Sequence, residues 1–355
     1  MPEPPSLPPP PPPPLPPAQA PAWRRAAARV QWVTDSGLFK LGFLLAIVVL
    51  GVLAVLSQWS DFTSGLGRLG PMAAFEALLC VLAAMVATML VWRSLLGAAG
   101  SRLSLRAAAR IFFIGQLGKY VPGSVWPVLT QMELGRIYRV PRQRSATAAM
   151  LAMLIGLTSS LLAAVIGLPF MARDSARQYW WVFLFIPVML VFLHPRVLNP
   201  VIARGLRLMR KPVPEQPLTA RVLVKAVAVN LAVWFFFGLQ IWVMTARLGH
   251  HGGDALLTGV GAFALAWGVG FVIILAPAGA GPRDAILIAT LIPLVGDRAD
   301  ATAIALVSRG VTVLADLILG GAAVLLSRGA PLPEDGASPF ADADPEPQPA
   351  PSTAG

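Results

Sequence analysis

Of 355 residues, 56% are apolar and only 13% are charged. That is too little polarity to cover a water-facing surface, so a soluble domain is excluded. The net charge of +11 fits a nucleic-acid binder by sign alone, yet the cations lie within a few residues of long apolar runs, without stacking aromatics or a folded basic face.

The first element is a tail. Residues 1–37 hold an unbroken proline run, Pro8 to Pro14, which favours a solvated polyproline II strand and offers almost nothing to bury, so a disordered Pro-rich segment with a basic flank is expected. No cleaved leader is expected, because that run precedes the first apolar block and the block is long enough to span. Apolar blocks then follow at Leu38–Ser57, Met72–Leu95, Ala146–Phe170, Tyr179–Leu193, Val222–Ala246, Ala255–Ala276 and Thr302–Leu326. Their lengths match the roughly 17 to 25 residues that cross about 30 Å of hydrocarbon. Two more apolar stretches, Ala107–Thr130 with Pro122, Gly123 and Pro127, and Arg283–Val295 with Pro293, are interrupted or short, and read as broken or re-entrant helices. The chain from Gly329 to Gly355 is rich in Pro, Ala and acids, so it reads as a second disordered tail. The expected fold is therefore an all-α polytopic membrane bundle over residues 38–328, with about seven spanning helices and two broken ones.

Loop charge sets an orientation. Arg24, Arg25, Arg29 and Lys40 flank the first block, while Arg93, Arg102, Arg106 and Arg110 follow the second. Arg136, Arg139, Arg142 and Arg144 precede the third, and Arg196, Arg204, Arg207, Arg210, Lys211, Arg221 and Lys225 separate the fourth from the fifth. The alternate loops carry only Arg68, Arg173, Arg177 and Arg247. The positive-inside rule puts the basic loops and the N-terminus in the cytoplasm of a plasma-membrane protein. Ala107–Thr130 then starts and ends on one side, as a hairpin turning near Pro122 and Gly123 or as an amphipathic helix on the inner leaflet.

An internal repeat is also legible. One offset of 155 residues carries Pro122 to Pro277, Pro127 to Pro282, Ala146-Thr147-Ala148 to Ala301-Thr302-Ala303, and Leu151 to Leu306. With the charges read as above, both copies run the same way, a parallel pseudo-repeat. Paired broken segments in two halves point to a transporter binding site, because unwound backbone needs a ligand or a wet cavity to satisfy it. Prolines that merely kink packed helices would leave the same trace.

Ionisable residues inside spans narrow the site. Arg309 and Asp316 lie seven residues apart, two helical turns, and share a face of the last span. A charge at mid-membrane costs several kcal/mol unless paired or hydrated, roughly as insertion scales measure it. Arg309 is expected to meet an anionic headgroup or Asp284, with a structural pair to Asp316 as the alternative. Arg283 is expected at the bilayer edge, where it could reach a lipid phosphate or simply snorkel. Lys119 and Tyr120 precede the first break and could bind phosphate or anchor at the interface. Glu76 reads as a lone solvated acid, and Asn230 and Gln240 as hydrogen-bonding glue between helices. Cys80, the one cysteine, and His194, His250 and His251 form no metal array, so neither a metal nor another cofactor is expected. No nucleotide loop, acidic cluster or nucleophile-base set stands outside the spans, so an enzyme is not indicated.

The stretch Gly115-Gln-Leu-Gly-Lys-Tyr-Val-Pro-Gly-Ser-Val-Trp126 resembles the first proline-glycine signature of the flippase-like transmembrane domain of lysylphosphatidylglycerol synthases. Ala276-Pro-Ala-Gly-Ala-Gly-Pro-Arg283-Asp284 resembles the second, and Ala303 to Arg309 the third. Trp126 and Pro127 depart from the first signature, where glycine and an acid are common, and Leu154-Ile155-Gly156 stands where an acid-arginine pair is expected. The resemblance implies movement or presentation of an anionic phospholipid or a polyprenyl-linked lipid between leaflets. It assigns substrate contact to Lys119, Tyr120, Pro122, Gly123, Pro277, Gly279, Gly281, Arg283, Asp284 and Arg309. Two other functions fit the same residues: a membrane scaffold for a cytosolic glycosyltransferase or aminoacyltransferase, and an intramembrane transferase.

Overall fold

A computed structural model of the chain describes residues 59–120, 126–171, 182–208, 218–272 and 281–325, and every element among them is helical. In chain order these are α1 (Trp59–Leu69), α2 (Pro71–Ala98), α3 (Leu105–Gln116), α4 (Trp126–Ile137), α5 (Arg142–Gly167), α6 (Val182–Leu193), α7 (Pro195–Leu208), α8 (Ala220–Arg247), α9 (Gly253–Val272), α10 (Pro282–Val295) and α11 (Arg298–Leu325). Single 3₁₀ turns extend α3 through Leu117–Tyr120 and α5 through Leu168–Phe170. The block Leu38–Ser57, both tails, and Pro122, Gly123, Pro277 and Gly279 lie outside the described residues.

Five helices, α2, α5, α8, α9 and α11, are long and apolar enough to cross a membrane. Their outward faces confirm the solvent they need. On α2, Met72, Phe75, Leu79, Val86 and Leu90 form an exposed apolar stripe, which only lipid can solvate favourably. The interior is built from small residues that let backbones approach. A Cβ on Gly167 of α5 would lie 2.5 Å from the Cα of Gly261 on α9, and one on Gly238 of α8 would lie 2.5 Å from the Cα of Val260.

Side-chain contacts fix helix directions. Glu76, near the start of α2, pairs with Arg247 at the end of α8, N to O 2.9 Å, so these helices are antiparallel. The expectation that Glu76 is a lone solvated acid is thereby corrected. Arg144 at the start of α5 donates to the Gly100 carbonyl just after α2, whereas Asp300 at the start of α11 meets Arg68, next to the start of α2. Helices α5 and α11 therefore begin at opposite ends of the bundle. The 155-residue offset links α2 with α8 and α5 with α11, so the halves it relates run in opposite directions, and a repeat of common direction is ruled out. Loop charge does not reveal this direction, because the turn between α10 and α11 carries one cation, Arg298, beside Asp297 and Asp300, too weak a bias to orient it.

The two broken segments are helical hairpins. Helices α3 and α4 pack together, closely enough that a Cβ on Gly118 would lie 3.0 Å from the Trp126 carbonyl carbon. Their outer ends sit beside the start of α5, where Glu133 of α4 accepts from Arg142 at 2.8 Å. The second hairpin is α9 with α10. Gly268 lies against Ser160, and Trp267 against Gly156, the middle of the 29-residue run Arg142–Phe170. The C-terminal end of α9 is thus level with mid-bundle, and of the block Ala255–Ala276, expected to span, the described part lies in α9, a 20-residue helix long and apolar enough to cross. Glycine frames α10 at both ends: Gly281 with φ 88° precedes Pro282, and Gly296 with φ 75° closes the helix, angles that a Cβ disfavours. Of the segment Tyr179–Leu193, the described part, Val182–Leu193, is helical, and residues 179–181 lie outside the described residues.

Candidate functional site

Where the hairpins meet the middle of α11, five ionisable side chains and a phenol converge. Arg309 is the twelfth residue of the 28-residue α11 and Asp316 the nineteenth, so both lie far from the helix ends. Arg309 Nη1 donates to Asp284 Oδ2, and that pair is largely buried, each side chain 17% exposed. The same carboxylate oxygen accepts from the Gly281 backbone N–H at 3.3 Å. Asp316 is 4% exposed. Its Oδ2 takes both Lys119 Nζ at 2.6 Å and the Tyr120 hydroxyl at 2.7 Å. The pairing of Arg309 with Asp316 that a two-turn spacing allows is not formed, because Lys119 at the tip of the first hairpin occupies that carboxylate.

Arg283 differs from the other cations. Its Cβ lies against Gly270 of α9, where any larger residue would collide at 3.0 Å. Its guanidinium carbon lies 4.7 Å from the centre of the Phe263 ring. Gly270 and Phe263 are seven residues apart, on one face of α9, and the arginine runs along that face. Asp284, Arg309, Tyr120 and Asp316 are within its electrostatic reach, yet neither carboxylate pairs with it among the described residues, and its Nε is buried without a hydrogen-bond partner. The expected position at the bilayer edge is corrected: Arg283 is interior, held level with the mid-bundle end of α9.

The site thus holds three cations, Lys119, Arg283 and Arg309, against two carboxylates, Asp284 and Asp316, an excess of one positive charge. Such an excess inside hydrocarbon is costly without an anion, and the guanidinium is the side chain best shaped to take one by two parallel hydrogen bonds.

Around it the packing is aromatic and neutral. Phe263 stacks on Phe237 at 4.7 Å, Trp234 meets Trp267 at 5.0 Å, and Trp267 stacks on Phe271 at 5.1 Å. Asn230 Nδ2 and Trp234 Nε1 both donate to Ser159 Oγ, at 2.7 and 2.9 Å, tying α8 to α5. Sequence reasoning found Asn230 but missed Ser159, since a serine in an alanine-rich span carries no pattern of its own. Gln240 is fully buried with neither amide atom hydrogen-bonded.

No curated protein and no solved structure matches the chain. A family model, that of the lysylphosphatidylglycerol synthase TM region, matches residues 41–320, a stretch that contains every ionisable residue of the site. The chain is a helical membrane protein that belongs to the family of the lysylphosphatidylglycerol synthase transmembrane region.

Proposed function

We propose that this protein translocates or presents an anionic lipid between leaflets, with the headgroup held at the mid-bundle cluster of Lys119, Arg283 and Arg309. The observation that carries the reading is the buried excess of one positive charge where elements from opposite ends of the bundle meet. A structural ion-pair network would be neutral; a site for an anion need not be.

The topology supports it. The basic end gathers Arg102, Arg106, Arg136, Arg142, Arg144, Arg221 and Lys225, and the opposite end of the described bundle holds Arg68, Arg247 and Arg298 beside Glu76, Asp297 and Asp300. We read the basic end as cytoplasmic, with the first hairpin entering from the cytoplasm and the second from outside. We also read the halves as inverted repeats. The offset that carries Pro127 to Pro282 brings the starts of α4 and α5, at 126 and 142, within one residue of the starts of α10 and α11, at 282 and 298. Inverted repeats with broken helices at the midplane suit a site that opens alternately to each side. No nucleotide-binding motif is present in the sequence, so net movement would draw on an ion gradient, a partner or a downhill lipid gradient.

The test compares lipid sidedness in cells with and without the gene, by outer-leaflet labelling and mass spectrometry of extracted lipids. One anionic lipid should be retained on the inner leaflet in the deletion, wild type should restore its exposure, and Arg309→Gln should not. Unchanged sidedness of every lipid would refute translocation.

A further inference from the structure

Resting on that reading, we infer that the cluster is built for a single monoanionic phosphodiester headgroup, with Arg283 as its direct ligand, and that lipids carrying a diphosphate are not its substrates. Asp284 is already taken by Arg309 and by the Gly281 N–H, both on the same oxygen. Asp316 is taken by Lys119 and Tyr120. Each of these carboxylates therefore neutralises a cation on another element, and the pairs hold α10 and the first hairpin to α11. Only Arg283 has no carboxylate, and its buried Nε has no acceptor.

One monoanion brings the cluster from an excess of one positive charge to neutrality. A diphosphate, with two or more charges, would leave the mid-membrane site net negative, with no further cation among the described residues there to offset it. The guanidinium is also preset. Phe263, itself stacked on Phe237, supports its face, and Gly270 leaves room for its stem, so the nitrogen edge is the part left to meet two phosphate oxygens. The positions that the 155-residue offset relates to Arg283, Arg309 and Asp316 are Val128, Leu154 and Leu161, so the first half supplies no second anion site of this kind.

The experiment uses the purified full chain in neutral detergent. Native mass spectrometry measures binding of phosphatidylglycerol, zwitterionic phosphatidylethanolamine and a polyprenyl diphosphate, with inorganic phosphate as a soluble competitor. Phosphatidylglycerol should bind at least tenfold more tightly than either other lipid. Arg283→Gln should abolish that preference, Arg283→Lys should keep most of it, and millimolar inorganic phosphate should not displace the lipid. Tighter binding of the diphosphate overturns the inference and leaves the anionic-lipid function standing. Displacement by inorganic phosphate alone overturns a lipid source for the anion. Equal binding of all three lipids overturns the inference and the proposed function together. If Arg283→Gln does not yield folded protein, Phe263→Leu replaces it, with at least a threefold loss of phosphatidylglycerol affinity expected; unchanged affinity removes the guanidinium from the site.

Discussion

Replacing Asp316 with Asn isolates the contact that fastens the first hairpin to α11. The carboxylate is 4% exposed and accepts from both Lys119 and Tyr120 on one oxygen. In Asp316→Asn the amide oxygen still accepts from the Tyr120 hydroxyl, but the Lys119 ammonium loses its counter-charge. Breaking a buried ion pair from one side costs about 3 to 5 kcal/mol. The Lys119 side chain is 27% exposed and can regain some hydration, which brings the loss below that range, to about 2 to 3 kcal/mol. For a chain of this size the melting midpoint in detergent should fall by roughly 3 to 4 °C. Adding Lys119→Met removes the stranded charge, so the double variant should recover at least half of the loss, a coupling of about 1 kcal/mol or more. The assay is a thermal melt of the four proteins of the cycle in one detergent. Additive losses would refute the reasoning, since they would mean that Lys119 and Asp316 are solvated independently.

Gly238→Leu drives a side chain into the Val260 backbone, and overpacking of about 3 kcal/mol or more should appear as loss of monodisperse protein on size exclusion. Arg68→Ala removes a pair whose side chains are 51% and 25% exposed, so its melt should shift by less than about 1 kcal/mol equivalent. In a Cys80→Ala background, Arg144→Cys and Ala299→Cys occupy positions related by the 155-residue offset. A membrane-impermeant thiol reagent should label them from opposite sides of the membrane, whereas labelling from one side would contradict an inverted arrangement.

Much of the bundle is legible in the sequence. Runs of apolar residues longer than 20 give α2, α5, α8 and α11 almost to their ends, because length in hydrocarbon is a strong constraint. Pro122 and Gly123 mark a break between α3 and α4 for the same reason that proline ends helices in water. Direction was harder. The α10–α11 turn carries its acids and its one cation close together, and a bias of one residue does not orient a hairpin. The level at which α9 meets α5 is invisible to hydropathy, since it depends on which residues of α5 it lies beside. The pairing of Lys119 with Asp316 joins residues nearly 200 positions apart, and no local spacing encodes it. The sequence puts Arg283 at the bilayer edge, while its real position follows from a glycine and a phenylalanine on another helix.

The central claim is that the buried cations handle a lipid headgroup as it crosses. Its most direct test is translocation in proteoliposomes: fluorescent phosphatidylglycerol in both leaflets, dithionite added outside, and the fraction of fluorescence bleached recorded for wild type and Arg309→Gln at equal protein content. Wild type should expose inner-leaflet lipid and carry the bleached fraction well beyond one half, while Arg309→Gln, folded by thermal melt, should stay near one half like protein-free vesicles. Wild type that bleaches no more than empty vesicles, or Arg309→Gln that bleaches as wild type does, would contradict the account.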